Sequence, residues 1–184
     1  MTLVAFALAA TSCATHRHRP SAPVGAESFV VEGRLAVRRA SEGFTSNFVW
    51  SHVDAAHFSI EVWGPMGQGR SRLDGDGEHV VLHAADGSVR EERDPTAAVH
   101  DWLGIDVPVS ALPFWLKGQV APDLPVATRE VDAGGNLLHL TQAAWMLEFS
   151  GYAERPDGRH LPARIVATQG DVKVTLLPKT WTFP

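Results

Sequence analysis

The chain has 184 residues, of which 45% are apolar, and it carries a formal net charge of −5. This length suits one domain with a sizeable core, and the apolar fraction is too high for a disordered chain. The negative balance, with basic residues scattered along the chain, excludes a nucleic-acid partner, because binding nucleic acid requires a basic face that neutralises phosphates.

The first thirteen residues resemble an export signal. Residues 3–12 form a short apolar run, and Cys13, the only cysteine of the chain, follows small residues. The run is too short for a membrane-spanning helix but long enough for the apolar part of a signal peptide. We predict that residues 1–12 are a signal peptide and that Cys13 becomes the lipid-carrying first residue. An ordinary cleaved signal and a buried structural cysteine are the alternatives.

Residues 14–27 have no periodic apolar pattern and mix proline, glycine and alanine with polar residues. This composition is typical of a flexible linker. Fourteen extended residues reach roughly 45–50 Å. We therefore predict that residues 13–27 comprise the lipidated cysteine and a flexible tether, and that residues 28–184 form the folded domain.

From Ser28 onward, apolar residues recur at every second position, which is typical of antiparallel strands with one buried face. Three successive segments follow this pattern, with predicted inward faces Phe29-Val31-Leu35-Val37, Phe44-Ser46-Phe48-Trp50 and Phe58-Ile60-Val62. Further strands are predicted at 70–74, 79–83 and 88–92, with hairpin turns at 74–77 and at 86–87.

The middle of the chain changes to helical spacing. Asp94-Pro95 predicts the start of a helix and Gly104 its end. Ser110 is predicted to cap a second short helix that carries Leu112, Trp115 and Leu116. Strands resume at 127–132, 137–142, 145–150, 161–168 and 172–177. This order indicates a mainly β fold with a helical insertion (α+β), in which a sheet curls round and receives the helices against its concave face.

Pro65, Met66 and Gly67 join two predicted strands through a tight surface turn. At the tip, Met66 either points into water or folds back onto the core. A water-facing Met66 would be an apolar probe that dips into a bilayer. Burying a methionine side chain is worth roughly 1.5–3 kcal/mol, which can orient a protein that is already tethered.

Six tryptophans are many for this length, and Trp50, Trp102, Trp115, Trp145 and Trp181 fall on predicted inward faces. Large rings on a curved sheet either fill the core or line a cavity for an apolar ligand. The nine histidines lack partners at metal-ligand spacing, and nucleophile-elbow, nucleotide and dinucleotide motifs are missing. We therefore expect no metal, no cofactor and no enzymatic activity.

An ordered series of segments resembles the LolB family of outer-membrane lipoproteins. The series comprises residues 33–37, 48–52, 64–68, 104–118, 161–165 and the late Trp181. The likeness runs from about Phe29 to Trp181. It implies an incomplete antiparallel β-barrel, curled around a short helical plug, with an apolar cavity.

The resemblance also implies a receptor, anchored by lipid at the periplasmic face of the outer membrane as a monomer. This receptor would accept acylated lipoproteins from a LolA-type periplasmic carrier and insert them into the outer membrane. Met66 stands where the family has an exposed leucine, which makes Pro65, Met66 and Gly67 the expected membrane-insertion loop. The side chains expected to line the acyl cavity are Phe29, Leu35, Phe48, Trp50, Phe58, Ile60, Trp102, Leu112, Trp115, Leu116, Trp145 and Phe149.

A different class of function stays open. The same strand and helix order suits a periplasm-facing assembly or scaffold lipoprotein with a solid core and no lipid ligand. A cavity in the fold distinguishes the two. Because no nucleotide motif is present, transfer of acylated cargo would have to proceed down a gradient of affinity.

Overall fold

The computed structural model describes residues 27–76 and 79–184. The predicted signal peptide 1–12, Cys13 and the tether up to residue 26 lie outside the described residues and stay predictions. In the described ranges, no helix has the length and apolar character needed to cross a lipid bilayer.

The described residues form a large antiparallel sheet, a two-stranded hairpin and two short helices. The strands of the large sheet are β1 Phe29–Arg39, β2 Glu42–His52, β3 His57–Trp63, β4 Ser71–Asp76, β5 Val80–His83, β6 Val89–Glu92, β7 Val126–Val131, β8 Leu137–Gln142, β9 Trp145–Ser150, β12 Arg164–Gln169 and β13 Val172–Thr182. The hairpin consists of β10 Ala153–Glu154 and β11 His160–Leu161. The helices are α1 Pro95–Leu103 and α2 Leu112–Trp115, with a 3-10 turn at Val109–Ala111.

The strand order of the large sheet is β6-β5-β4-β3-β2-β1-β13-β12-β9-β8-β7. Strands β6 and β7 are therefore the two edges of an open, curled sheet. The chain passes from β6 through α1 and α2 to β7, so the helical segment connects one edge to the other. Its buried residues pack into the same core as the inward faces of the strands. The predicted curled sheet with a helical insertion is confirmed.

The alternation in β1 shows why the sheet has one buried face. The four predicted inward residues, Phe29, Val31, Leu35 and Val37, are buried, and the charged residues between them are exposed. Gly33 interrupts the series at a register shift. A Cβ atom there would clash with the carbonyl oxygen of Leu177 and the ring of Phe48, so only glycine permits this close approach.

Phe44 is a correction to the predicted inward face of β2. It is exposed, whereas Ser46, Phe48 and Trp50 on the same face are buried. Phe44 lies near the tip of the β1–β2 hairpin, opposite Val37. The hairpin therefore extends beyond the core there.

Helix α1 begins and ends as predicted. The Asp94 carboxylate accepts a hydrogen bond from the backbone N–H of Thr96, and Gly104 ends the helix with φ +67°. The predicted cap at Ser110 is wrong. Ser110 is exposed within the 3-10 turn, and α2 follows Ala111 with no side-chain capping hydrogen bond.

Two other predicted boundaries change. Asp74 and Gly75 do not form a turn, because β4 continues to Asp76 and Gly75 makes room for the Phe58 ring. The predicted strand at 161–168 is split, since β11 ends at Leu161 and β12 starts at Arg164. Pro162 stands in the gap, and proline has no N–H to continue a ladder.

The pairing of residues between neighbouring strands identifies the two ends of the barrel. Phe29 pairs with His52, and His52 pairs with Phe58, so these residues share one end, called here the Phe29 end. Strand β3 runs away from it to Trp63, where the loop carrying Met66 begins. We call this opposite end the Met66 end. At the Phe29 end, the Glu27 carboxylate forms an ion pair with Arg159.

Candidate functional site

The sheet and the helical segment enclose a cavity of about 100 Å³. Its walls consist only of aliphatic and aromatic side chains: Leu35, Phe48, Trp50, Ile60, Val62, Val99, Trp102, Leu103, Ile105, Val107, Leu112, Trp115, Leu116, Trp145, Leu147, Ile165, Ala167, Val174 and Leu176. An apolar cavity of about 150 Å³ holds one benzene ring. In this closed state, a long acyl chain fits only if the helical segment moves outward.

Nine of the twelve residues predicted to line an acyl cavity lie in these walls, namely Leu35, Phe48, Trp50, Ile60, Trp102, Leu112, Trp115, Leu116 and Trp145. The other three, Phe29, Phe58 and Phe149, require correction as lining residues. They are buried and face inward, but they lie toward the Phe29 end of their strands and pack in the core beyond the cavity.

Several lining residues were missed although the sequence carried their signal. Leu147 has the same strand parity as Trp145 and Phe149, and Val62 continues the parity of Phe58 and Ile60. Residues of α1 and of the loop after it, such as Val99 and Ile105, carried only weak helical spacing. Their place in the wall depends on how the segment crosses the sheet.

Gln142 fixes the α2 side of the helical segment. It is fully buried at the end of β8. Its Oε1 accepts hydrogen bonds from Trp115 Nε1 at 2.9 Å and from the backbone N–H of Ala121 at 3.1 Å. Its Nε2 donates to the carbonyl oxygens of Ala121 at 2.7 Å and Leu124 at 2.8 Å. One side chain thus connects the sheet to α2 and to the loop between α2 and β7.

The two cavity tryptophans with bonded indole nitrogens both connect the helical segment to the sheet. Trp115 bonds to Gln142, and Trp145 donates to the carbonyl oxygen of Asp106 at 2.9 Å. On α1, the lining residues Trp102 and Leu103 are only partly buried.

The loop at the Met66 end holds Met66 in water, with 91% of the residue exposed. The Gly67 N–H donates to the Gly64 carbonyl at 2.9 Å, and the Gly64 N–H donates to the Gln68 carbonyl at 2.7 Å. The Met66 N–H donates to Gln68 Oε1 at 3.0 Å. Of the two alternatives left by the sequence, the structure has the outward one. A closed network of hydrogen bonds keeps an apolar side chain projecting from the barrel.

Aromatic and polar groups of a different kind meet at the Phe29 end. The Phe29 ring stacks on His52 at 5.2 Å between ring centroids and contacts Trp50 at 5.8 Å and Trp181 at 5.3 Å. Both ring nitrogens of His52 and the Nε1 atoms of Trp50 and Trp181 are buried without a hydrogen-bond partner among the described residues. Buried polar atoms are normally paired, so this group is exceptional.

Lys117 joins the same group. It follows the cavity residue Leu116 and is 5% exposed. Its Nζ lies 5.7 Å from the centre of the Phe29 ring and 6.0 Å from that of Phe114. Burial lowers the pKa of Lys117, and the nearby Glu27 carboxylate only partly opposes this. Phe29, Trp50, His52, Lys117 and Trp181 are called the donor cluster below.

His52 gives a testable pH dependence. Burial, and then the Lys117 charge, lower the pKa of His52 below its ordinary 6.5. As the pH falls below about 6.5, His52 becomes protonated in the unfolded chain but stays neutral in the folded chain until a lower pH. We expect the free energy of unfolding to decrease there, by at most about 1.4 kcal/mol per pH unit, and to recover as the pH rises. Urea midpoints measured across this range check it.

His52→Phe should flatten this pH slope, because phenylalanine keeps the ring stack on Phe29 and does not titrate. The control is His139→Phe, since His139 is exposed on β8 and should leave the slope unchanged. An unaltered slope in His52→Phe would show that His52 titrates alike in both states.

No group of three or more metal-ligating side chains occurs within residues 27–76 and 79–184. Exposed histidines pair singly with oxygen atoms, as His57 does with Asp54 at 3.0 Å, His100 with Asp106 at 2.8 Å and His160 with Asn136 at 3.1 Å. The chemistry that the described site offers is therefore apolar enclosure, flanked by unpaired donors at one end and an exposed methionine at the other.

Comparisons with known proteins give relatives in sequence and in fold. A family model described as outer membrane lipoprotein LolB matches residues 27–181. The outer-membrane lipoprotein LolB of Pseudomonas fluorescens strain Pf0-1 is 32% identical over 157 residues, which cover 85% of this chain and 75% of that protein. The LolB of Stutzerimonas stutzeri strain A1501 is also 32% identical, over 84% of this chain and 74% of that protein.

Two solved structures share the fold at low sequence identity. A putative outer membrane lipoprotein-sorting protein domain from Vibrio parahaemolyticus has a TM-score of 0.54 and 11% identity, covering 87% of this chain and 86% of that chain. A LolA superfamily protein from Nitrosomonas europaea has a TM-score of 0.53 and 9% identity, covering 86% and 87%. The curled sheet with its helical insertion is thus shared with these proteins.

Proposed function

Because the chain belongs to the LolB family of outer-membrane lipoproteins, we propose that it is a receptor of the outer membrane that accepts acylated lipoproteins and inserts them there. The observation that carries this proposal is the wholly apolar cavity between the curled sheet and the helical segment. Acyl chains are the part of a lipoprotein that such walls can shelter from water, because transfer of hydrocarbon out of water is favourable.

The proposed transfer needs no covalent step. Each buried methylene contributes about 0.8 kcal/mol, and a tenfold difference in affinity corresponds to about 1.4 kcal/mol. Two additional methylenes buried by this cavity, compared with the previous holder, therefore suffice to draw an acylated protein forward. The bilayer accepts the chains more favourably still, so cargo moves on without consuming an energy source.

In this proposal a LolA-type periplasmic carrier delivers the lipoprotein to the receptor. The receptor is anchored by lipid on Cys13 at the periplasmic face of the outer membrane. Multiple acyl chains on Cys13 would keep the receptor at its destination, since a single chain binds a membrane only marginally. A barrel with an internal cavity and a carrier of the same fold would each shelter the same chains, which favours direct exchange between them.

The proposal is tested by transfer between purified components. A soluble form that starts after Cys13 is incubated with the carrier loaded with a radiolabelled lipoprotein, and the cargo is followed by co-purification. We expect the soluble form to take most of the cargo, because the cavity walls all lie within the described domain. The carrier incubated alone measures spontaneous release. If no cargo reaches the soluble form although it is folded, the scaffold alternative without a lipid ligand is correct.

A further inference from the structure

We propose that the donor cluster binds the acyl carbonyl oxygens of the lipid cargo, which makes it the polar end of a cavity that is otherwise apolar. This inference rests on the proposed function and adds the chemical group that is recognised. An acylated cysteine carries its chains through ester and amide carbonyls, so a receptor that encloses the chains must also accommodate these oxygens.

The cluster holds more hydrogen-bond donors than acceptors, because its one acceptor is the second ring nitrogen of neutral His52. The two indole N–H groups can only donate, the Lys117 ammonium donates three hydrogen bonds, and an imidazole always carries at least one N–H. Among the described residues, the indole and imidazole nitrogens are buried and have no hydrogen-bond partner. The Lys117 ammonium lies over the Phe29 and Phe114 rings. The group that satisfies such a set is rich in acceptor oxygens and poor in donors, as an ester is.

The cluster adjoins the cavity through shared residues. Trp50 belongs to both, and Lys117 directly follows Trp115 and Leu116, which line the cavity. Phe29, Trp50, His52 and Trp181 face inward from three neighbouring strands, with Val31 of β1 paired to Trp50 on one side and to Trp181 on the other. An acyl chain in the cavity therefore has one of its ends near these donors.

The charges around the cluster leave the Lys117 ammonium available. Arg159 engages the Glu27 carboxylate in an ion pair and lies 4.0 Å over the Phe183 ring, which stacks on Trp181. Asp54 accepts hydrogen bonds from Ala56 and His57. The nearest carboxylates are thus committed elsewhere, and a buried unpaired charge that costs stability persists where a ligand provides its partner.

The experiment compares two probes of equal length, methyl dodecanoate and dodecyl methyl ether, which differ by the carbonyl oxygen. Their affinities for the soluble form are measured by displacement of a fluorescent fatty probe. We expect the ester to bind about tenfold more tightly than the ether, because its carbonyl oxygen projects from the chain and can accept two hydrogen bonds, whereas the ether oxygen is shielded between two alkyl groups. In Lys117→Met the ratio of the affinity for the ester to that for the ether should fall to about one, while the affinity for the ether is retained.

The matched control is Lys173→Met, an exposed lysine of β13, which should keep the ratio of the wild-type chain. The urea midpoint of Lys117→Met should equal or exceed that of the wild-type chain, because a buried unpaired charge is removed. As an independent readout, the indole N–H proton resonances of Trp50 and Trp181 should shift with the ester and not with the ether.

Three results would overturn the inference, and only one of them also contradicts the proposed receptor function. Equal binding of ester and ether by the wild-type chain removes the donor site and leaves the apolar cavity as proposed. A ratio in Lys117→Met that equals the wild-type ratio, together with unmoved indole resonances, places the carbonyl elsewhere. Failure of both probes to bind overturns the proposed function as well.

Discussion

Met66→Glu is expected to take cargo from the carrier at the normal rate but to deliver it to liposomes at least tenfold more slowly. The methionine is almost fully exposed at the tip of a loop whose hydrogen bonds are closed within the loop itself. Its transfer into a bilayer is worth roughly 1.5–3 kcal/mol, equivalent to about 10–150-fold in an equilibrium constant. Glutamate removes this gain and adds the cost of bringing a charge to the membrane. Release of labelled lipoprotein into sedimented liposomes measures delivery.

Two variants control for this prediction. Met66→Leu keeps an apolar side chain and should deliver normally. Met146→Glu places the same charge at another exposed methionine, on β9, and should also deliver normally, since 56% of Met146 is exposed on the outer face of the sheet. Normal delivery by Met66→Glu would remove the loop from the mechanism.

Gln142→Met is expected to lower the free energy of unfolding by about 3–5 kcal/mol. The substitution keeps the volume of the side chain but removes four hydrogen bonds. It leaves the indole N–H of Trp115 and backbone groups of Ala121 and Leu124 without their acceptor or donor, at about 1–3 kcal/mol for each group that stays buried. Urea denaturation followed by tryptophan fluorescence measures the loss.

Gln119→Met is the matched control, because Gln119 is exposed just after α2 and only its backbone N–H is bonded, to the Phe114 carbonyl. We expect its midpoint to equal that of the wild-type chain. Equal stability of Gln142→Met and Gln119→Met would mean that water replaces the lost partners and that Gln142 does not hold α2 to the sheet.

Much of the fold follows from local pattern. The alternation in β1 and the Asp94 and Gly104 signals of α1 each depend on residues close together in the chain, so the sequence predicted them. The cap at Ser110 failed because a 3-10 turn precedes α2, and such a turn places Ser110 inside the coil. The ends of strands were the least predictable feature. Phe44 is exposed because the hairpin extends beyond the core, where alternation no longer indicates a buried face.

The site was predictable in its apolar part and not in its polar part. Trp50, Trp115 and Trp145 line the cavity because parity and helical spacing indicate the inward direction. Alternation along a strand shows which side chains face inward, but not whether an inward ring lines the cavity or packs in the solid core. Phe29, Phe58 and Phe149 were therefore wrongly predicted to line the cavity. The contacts of Gln142 and Lys117 join segments distant in sequence, and no local signal reports them.

The separation of the Phe29 end from the Met66 end bears on the orientation of the receptor at its membrane. The described chain starts at the Phe29 end, where Arg159 pairs with Glu27. Strand β3 rises about 17 Å from Phe58 to Trp63, and the loop that carries Met66 follows. If Cys13 carries lipid, as proposed, a molecule standing upright keeps Met66 away from the membrane surface. A molecule lying on its side brings Met66 to the surface, within the reach of roughly 45–50 Å expected of residues 14–27. The inclination of the domain would then decide when Met66 meets the membrane.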